Sequence, residues 1–301
     1  MTCAQSYPVK PILVLTYDSG SGGDVVARVL GQGLSEALGQ QIVVENKGGA
    51  GGAIAAEFVA KSAPDGYTLL FYGNNIWLLP FLRDNVPYDP VKDLAPISLA
   101  TTSPQVVVVN PALPVTTVKE LIALAKAKPG ALKCAMGGTG GPAHLAAELF
   151  KAMAGIDVVS VPYKSAGPAL NDLIAGEVQM QFPVVASGMP HVKAGRLKAL
   201  AVTSAQRSGL APELPTVAAS GLPGYESVAM YGMFAPAKVS AALVDRLNRE
   251  IIRVLNAEDA QRRLSTIVDI VGSSPDVFAG KIKAEMVTMG KVIKDSGIRA
   301  E

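Results

Sequence analysis

Apolar positions along the chain fall into two alternating rhythms. Short, mostly apolar runs read as strands at residues 12–15, 42–44, 67–72, 106–109, 132–136, 158–161, 178–182 and 197–202. Between and after them, apolar residues recur every three or four positions, which predicts helices with one face on a core. These segments are 24–38, 53–61, 118–128, 142–154, 168–175, 241–256 and 275–295; the first is apolar at 25, 26, 29, 30, 34, 37 and 38. Start and stop signals agree with the rhythm. Thr117-Val118-Lys119-Glu120 has the form of a capping box, Gly39 and Gly155 stand where a left-handed stop is needed, and Pro64-Asp65-Gly66 reads as a turn.

Strand–helix alternation of this kind predicts an α/β protein with largely parallel sheets. The strands are too many for one comfortable sheet. Two lobes are expected, 1–104 together with 227–301 and 105–226, joined by crossovers at 102–105 and 225–230, with both termini on the first lobe. Internal repeats and low-complexity segments are not evident.

Three glycine-rich loops each follow an apolar run and open a helix. They are Asp18-Ser19-Gly20-Ser21-Gly22-Gly23 after Tyr17, Lys47-Gly48-Gly49-Ala50-Gly51-Gly52, and Gly137-Gly138-Thr139-Gly140-Gly141. Glycine leaves main-chain N–H groups uncovered, and a helix start adds free donors and the positive end of its dipole. Such a loop reads equally as an anion cradle or as a plain strand–helix turn. Three in one chain tip the balance toward an anionic small molecule held by backbone beyond the strand ends. Two other segments reach the same edge. Gly73-Asn74-Asn75-Ile76-Trp77 places two amides after a strand, as carboxylate partners or as ordinary turn asparagines. Tyr163-Lys164-Ser165-Ala166-Gly167 offers hydroxyls and backbone donors, with Lys164 open to a reading as a solvated charge.

Composition removes several classes. Nearly half the residues are apolar and 17% are charged, which excludes disorder, and a formal charge of +2 gives no footprint for nucleic acid. No apolar run is long enough to span a membrane. Two cysteines, Cys3 and Cys134, argue against a disulfide framework or a zinc site, and no metal or other cofactor is expected. The start, Gln5-Ser6-Tyr7-Pro8, reads as a mature exported protein whose leader has been replaced by an initiator Met, with a cytosolic protein carrying a short tail as the bland reading; lipidation at Cys3 is disfavoured.

Enzyme signals are thin. No P-loop, G-x-S-x-G elbow or H-E-x-x-H is present. Gly138-Thr139-Gly140-Gly141-Pro142-Ala143 matches G-x-G-x-x-A, but the acid that should end the next strand, Asp157, begins it. His144, in the first turn after the third loop, reads first as a helix-end hydrogen-bonding residue, and His191 as a surface residue.

A resemblance runs in order from about Tyr7 to Ile298. Gly20-Ser21-Gly22-Gly23-Asp24, Val43-Val44-Glu45-Asn46-Lys47-Gly48-Gly49-Ala50-Gly51-Gly52, Ala63-Pro64-Asp65-Gly66-Tyr67, Pro87-Tyr88-Asp89-Pro90, His144-Leu145-Ala146-Ala147-Glu148, Val161-Pro162-Tyr163-Lys164 and Leu214-Pro215-Thr216-Val217 resemble the Bug receptors, the TctC-like binding proteins of tripartite tricarboxylate transporters. The resemblance implies a type II periplasmic binding protein fold, two α/β lobes on hinge crossovers with the ligand cleft between them. It implies a non-enzymatic monomer without membrane insertion that captures a small carboxylate, dicarboxylate or aromatic, for a permease with large and small subunits. Carried over by position, the ligand-binding residues are Tyr17, Asp18, Ser19, Gly20, Ser21, Gly22, Gly23, Asn74, Asn75, Gly138, Thr139, Gly140, Gly141, Ala143, His144, Tyr163, Ser165, Ala166 and Gly167, with Pro183 and Val184 forming a wall.

The chain departs from the family pattern at Tyr17-Asp18-Ser19, where Phe-Pro-Pro is usual, at Phe182-Pro183-Val184, where Phe-Asp-Asn is usual, and at Gly141, often Ser or Thr. An apolar wall at 183 would suit an aliphatic or aromatic ligand body; Asp18 would favour an amine or hydroxyl, or face solvent. The alternatives carried forward are a nucleotide-dependent α/β oxidoreductase and a binding protein serving an ATP-driven importer or a sensor.

Overall fold

The computed structural model describes residues 7–17, 19, 21–137, 140–163 and 165–299. Asp18, Gly20, Gly138, Thr139, Lys164 and Cys3 lie outside the described residues. In chain order the elements are β1 Ile12–Thr16, α1 Gly22–Leu38, β2 Ile42–Asn46, α2 Ala53–Ala60, β3 Thr68–Gly73, α3 Asn74–Leu82, β4 Leu94–Pro104, β5 Val106–Val109, α4 Val118–Ala127, β6 Lys133–Gly137, α5 Pro142–Ala154, β7 Val159–Tyr163, α6 Ala166–Ala175, β8 Met180–Gln181, α7 Val185–Lys193, β9 Lys198–Val202, β10 Val228–Pro236, α8 Ala241–Leu255, α9 Glu258–Leu264, β11 Asp269–Ile270 and α10 Pro275–Ser296.

The strands form two sheets, ordered β11-β4-β10-β3-β1-β2 and β7-β6-β8-β5-β9. They are mixed, which corrects the expectation of largely parallel sheets. β1 runs parallel to β2 and β3, and β6 to β7 and β8. β10 lies antiparallel between β3 and β4, and β5 lies antiparallel to β8 and β9. The cause is the connection between the sheets. β4 leaves the first sheet and passes through the single residue Gln105 into β5 of the second, so each sheet contains a strand that belongs to a chain crossing rather than to a βα repeat. The chain returns between β9 and β10. Gln105 and Thr203 bind each other through Gln105 N–H to Thr203 Oγ1 at 2.8 Å and Thr203 N–H to the Gln105 carbonyl at 2.9 Å, and Ser227 N–H donates to the Thr203 carbonyl at 3.0 Å.

Helices pack on both faces of each sheet. α1 and α8 cover one face of the first sheet, where Val26, Leu30, Leu34, Leu247 and Ile251 meet Ile12, Val14 and Met233. On the other face, α2, α3 and α10 join a core that continues through Tyr225 into α5 and α4 of the second sheet. Ser21 caps α1, its hydroxyl accepting the Asp24 N–H, and the Thr117–Glu120 capping box of α4 is formed in both directions.

The asparagines Asn74 and Asn75, open in the sequence to a reading as turn residues, begin α3 instead. After Asn74 and Asn75 its sequence is apolar around the circumference to Leu82, and it is buried over most of that surface with Pro80 exposed, so no amphipathic rhythm betrays it. Pro80 within it cannot donate to the Ile76 carbonyl, and that carbonyl accepts the Tyr88 hydroxyl at 2.6 Å instead.

Candidate functional site

Between the two sheets lies a cavity of about 290 Å³. The first lobe contributes Tyr17, from the loop after β1, Gly51, and Asn74, Asn75, Leu79 and Leu82 from α3, with Ala229 and Tyr231 from β10. From the second lobe come Gly140, Gly141 and Pro142, where the third glycine loop enters α5. Among the described residues its lining carries no charged side chain. Cavities of similar and larger volume exist elsewhere, but one of about 240 Å³ between α1 and α8–α9 is lined by Glu36, Arg253 and Asp259, and the larger ones, about 540 and 750 Å³, are lined in part by Arg83 and Asp84 and by Lys291, Asp295 and Arg299.

The wall is built tightly on the first lobe. The Tyr17 ring stacks on Tyr72 with centroids 3.9 Å apart and meets Tyr231 edge-on at 5.8 Å. Its hydroxyl donates to Asn75 Oδ1 at 3.0 Å, and Asn75 Nδ2 donates to the Gly51 carbonyl at 2.7 Å. Burial, with Tyr231 and Tyr72 beside it, pushes the Tyr17 phenol well above its ordinary range. Asn74 is committed to the frame: its Oδ1 accepts the Met230 N–H at 2.5 Å, and its Nδ2 donates to the Val228 carbonyl at 3.0 Å and to Glu285. Gly73 has no room for a side chain, since a Cβ there would lie 2.3 Å from the Met230 carbonyl oxygen and 2.5 Å from the Tyr17 hydroxyl.

On the second lobe, Gly140 has φ of +71°, and a Cβ on it would sit 3.0 Å from Leu82 Cδ1 across the cleft. The two lobes therefore touch at this point. Gly140 N–H donates to His144 Nδ1 at 3.1 Å. That bond requires an unprotonated Nδ1, and burial holds the imidazole below its ordinary range. Glu148 Oε1, 3.8 Å from Nε2, pulls the other way; it also receives Lys151 Nζ at 2.8 Å and the Ser160 hydroxyl at 2.6 Å. His144 thus anchors the loop, and the Gly140 N–H expected to face a ligand is directed at the imidazole. Gly141 is the N-cap of α5 and Pro142 its first residue, so the N–H groups of Ala143 and His144 occupy the first turn, where no helical acceptor exists.

Other expected residues lie off this cavity. Ser19 is exposed, Ser21 is the cap of α1, and Gly23 packs under the Tyr17 ring; Gly22 approaches Tyr231, whose hydroxyl lies 4.0 Å from where its Cβ would be. Tyr163 turns its hydroxyl to Asp172 Oδ2 at 2.6 Å, and that bond pushes the phenol up to about 12. Ser165 is the exposed first cap of α6, Ala166 packs on Gly137, and Gly167 faces open space. Pro183 is buried, its carbonyl accepting the Val106 N–H at 2.8 Å, and Val184 bridges to Gln105 and caps α7. Leu79, Leu82, Ala229 and Tyr231 line the cavity without having been singled out; Gly51 and Pro142 also line it, and Pro142 belongs to the Gly138–Ala143 motif already named. Tyr231 and Ala229 arrive through a strand that the pattern did not mark as one, and Leu79 and Leu82 through the buried helix. Gly51 stood in a glycine loop already marked for anions.

Among the described residues no group of three or more His, Cys, Asp or Glu could hold a metal, and no helix is long and apolar enough to cross a membrane.

The chain is 33% identical to R. palustris Rpa4515, solved with adipate, over 97% of this chain and 99% of that one, with a TM-score of 0.80. It is 30% identical to the periplasmic binding protein BugD over 98% and 100% of the two chains, TM-score 0.77. MatC of Rhodopseudomonas palustris, solved with bound malate, is 28% identical over 95% and 100%, TM-score 0.76. All three superpose over both lobes, so the two-lobed α/β fold is that of periplasmic binding proteins. Residues 26–298 match the tripartite tricarboxylate transporter family receptor, and the chain belongs to this TctC family of solute-binding receptors.

Proposed function

We infer that the protein captures a small carboxylate between its lobes, 1–104 with 227–301 and 105–226, and delivers it outside the cytoplasm to a tripartite tricarboxylate-type permease. One observation carries the reading. The start of α5 on one lobe and the Tyr17–Asn75–Tyr231 wall on the other meet around a single cavity with no charged side chain among its described lining residues. A carboxylate there is recognised by main-chain donors, the second amide hydrogen of Asn75 and the Tyr231 hydroxyl rather than by a cationic clamp.

The energetics are sufficient. A charge-assisted hydrogen bond is worth about 1.5–3 kcal/mol, and a helix N-terminus about 0.3–1 kcal/mol. Desolvating the ion takes back much of this, yet micromolar affinity needs only about 8 kcal/mol net. Leu79, Leu82 and Ala229 supply an apolar flank for the body of a dicarboxylate or aromatic acid. The adipate and malate carried by Rpa4515 and MatC are of that chemistry. We assign the ligand-contacting positions to Tyr17, Asn75, Tyr231 and the Gly141–His144 backbone. Hinge bending at Gln105 and at the return into β10 would close the lobes over the guest and shape the face that a permease reads.

A thermal-shift screen with adipate, malate and benzoate tests this. Stabilisation by at least one acid, saturating with concentration and absent with the matching uncharged amide, is the expected result. No shift with any of the three, in protein shown to be folded and ligand-free, would remove the reading.

A further inference from the structure

Behind the cleft wall a second cavity of about 230 Å³ lies where the returning chain meets α10, bordered by Glu226, Ser227, Val228, Lys281 and Glu285. Glu285 is half-buried, and both of its carboxylate oxygens are engaged. Oε2 accepts the Trp77 indole N–H at 2.7 Å, and Oε1 accepts from Asn74 Nδ2. Asn74 in turn holds the first residues of β10, at the Val228 carbonyl and the Met230 N–H, and also lines the ligand cavity. One acid on α10 therefore touches, through a single carboxamide, both the cleft wall and the strand by which the chain re-enters the first sheet.

We propose that Glu285 is the positioning residue of this cleft: by fixing the Asn74 carboxamide it locks the start of β10 to α3 and α10, so that the orientation of the cleft wall and the setting of the hinge are coupled. The proposal rests on the reading of the cleft as a ligand site. Its chemistry depends on both oxygens being acceptors. Protonation removes the charge that strengthens both bonds and leaves the oxygen carrying the proton the weaker acceptor, so the grip on the two N–H groups weakens. Burial, with Glu226 facing the group, pushes the Glu285 carboxyl up to about 7, while the Trp77 and Asn74 donors and Lys281 oppose the rise. The lock therefore loosens as pH falls through that value.

Trp77 is the sole tryptophan and is bonded to Glu285, so its emission reports the lock directly. The experiment records Trp77 emission of the ligand-free full chain over roughly pH 5.5 to 8.5, in the parent and in Glu285→Gln, with circular dichroism alongside. Inter-lobe distances are measured between spin labels at Lys61→Cys and Asn171→Cys in a Cys3→Ser background, and adipate and malate are titrated into both proteins. The parent should show a sigmoidal emission change centred near the Glu285 value, and Glu285→Gln should be flat. The variant should also show a broader inter-lobe distribution and about fivefold weaker affinity for the acid that binds the parent. A flat parent titration, or a folded Glu285→Gln with parental distances, would overturn the proposal. If Glu285→Gln does not fold, the parent titration decides alone. If neither acid binds the parent, the cleft reading fails while emission and distances still decide the lock.

Discussion

Replacing His144 with alanine should release the loop that leads into α5. The imidazole Nδ1 is the acceptor of the Gly140 N–H, and Gly140 stands at φ of +71°, a conformation held by its surroundings. His144 is 9% exposed, so bulk water does not readily replace the lost acceptor. A buried donor left unpaired costs about 1–3 kcal/mol, and urea unfolding near neutral pH should show a loss of that size. The same loop carries Gly141 and Pro142 into the cleft. If the released loop is competent in only about a tenth of molecules, adipate affinity measured by calorimetry should fall about tenfold. The pH dependence has a definite sign. His144 binds its proton less readily when folded, so its contribution is intact above the ordinary histidine value near 6.5 and is lost as pH falls through it. Glu285 acts oppositely, because its raised folded value makes its contribution fall as pH rises from about 4.5 toward about 7. Only the difference between parent and His144→Ala isolates the histidine, and that difference should shrink on going from about pH 7.5 to about 5.5. A variant with parental stability and parental affinity at both pH values would refute the anchoring role.

Three further outcomes follow from the same geometry. Gly140→Val places a β-branched residue at positive φ against Leu82; unfolding should show a loss of about 1–3 kcal/mol, and calorimetry a loss of carboxylate binding. Gly73→Ala puts a methyl 2.3 Å from the Met230 carbonyl oxygen and should destabilise by at least about 2 kcal/mol in chemical denaturation, with the cleft wall displaced. Tyr88→Phe leaves the Ile76 carbonyl without the hydroxyl that replaces the donor missing at Pro80, and should cost about 1–3 kcal/mol with ligand affinity unchanged.

Legibility in the sequence followed the physics of each element. α5 was readable to the residue, because Pro142 at its first position and Gly155 at its left-handed stop are local signals. The Thr117–Glu120 box was readable for the same reason. β10 was not: its first residues fall in the expected crossover 225–230, its remainder carries no strand signal, and only its pairing between β3 and β4 makes it a strand. α3 was invisible because its residues from Ile76 to Leu82 are all apolar, which removes periodicity. The site divides along the same line. Tyr17, Asn74, Asn75, Gly140 and Gly141 follow strands directly and were nameable from position; Tyr231 and Ala229 reach the cavity through a partner more than a hundred residues away in the chain. The hydroxyl of Tyr163 could be listed as a donor from sequence, but only the fold shows it spent on Asp172.

The resemblance to Bug receptors was carried by short ordered segments, and the family match over residues 26–298 agrees with it. Functional transfer is narrower. The unusual Pro183 sits between β8 and α7, its carbonyl bonded to Val106 of β5, and is not among the residues lining the cavity. The apolar flank comes instead from α3.

The most direct measurement is a crystal structure of the full chain with the carboxylate that most stabilises it in the thermal-shift screen. Density for its carboxylate against the first turn of α5, with the body of the acid between Leu82 and Tyr231, is the predicted result. Density lodged in the groove between α1 and α8, or a ligand held by the charged side chains there, would contradict it.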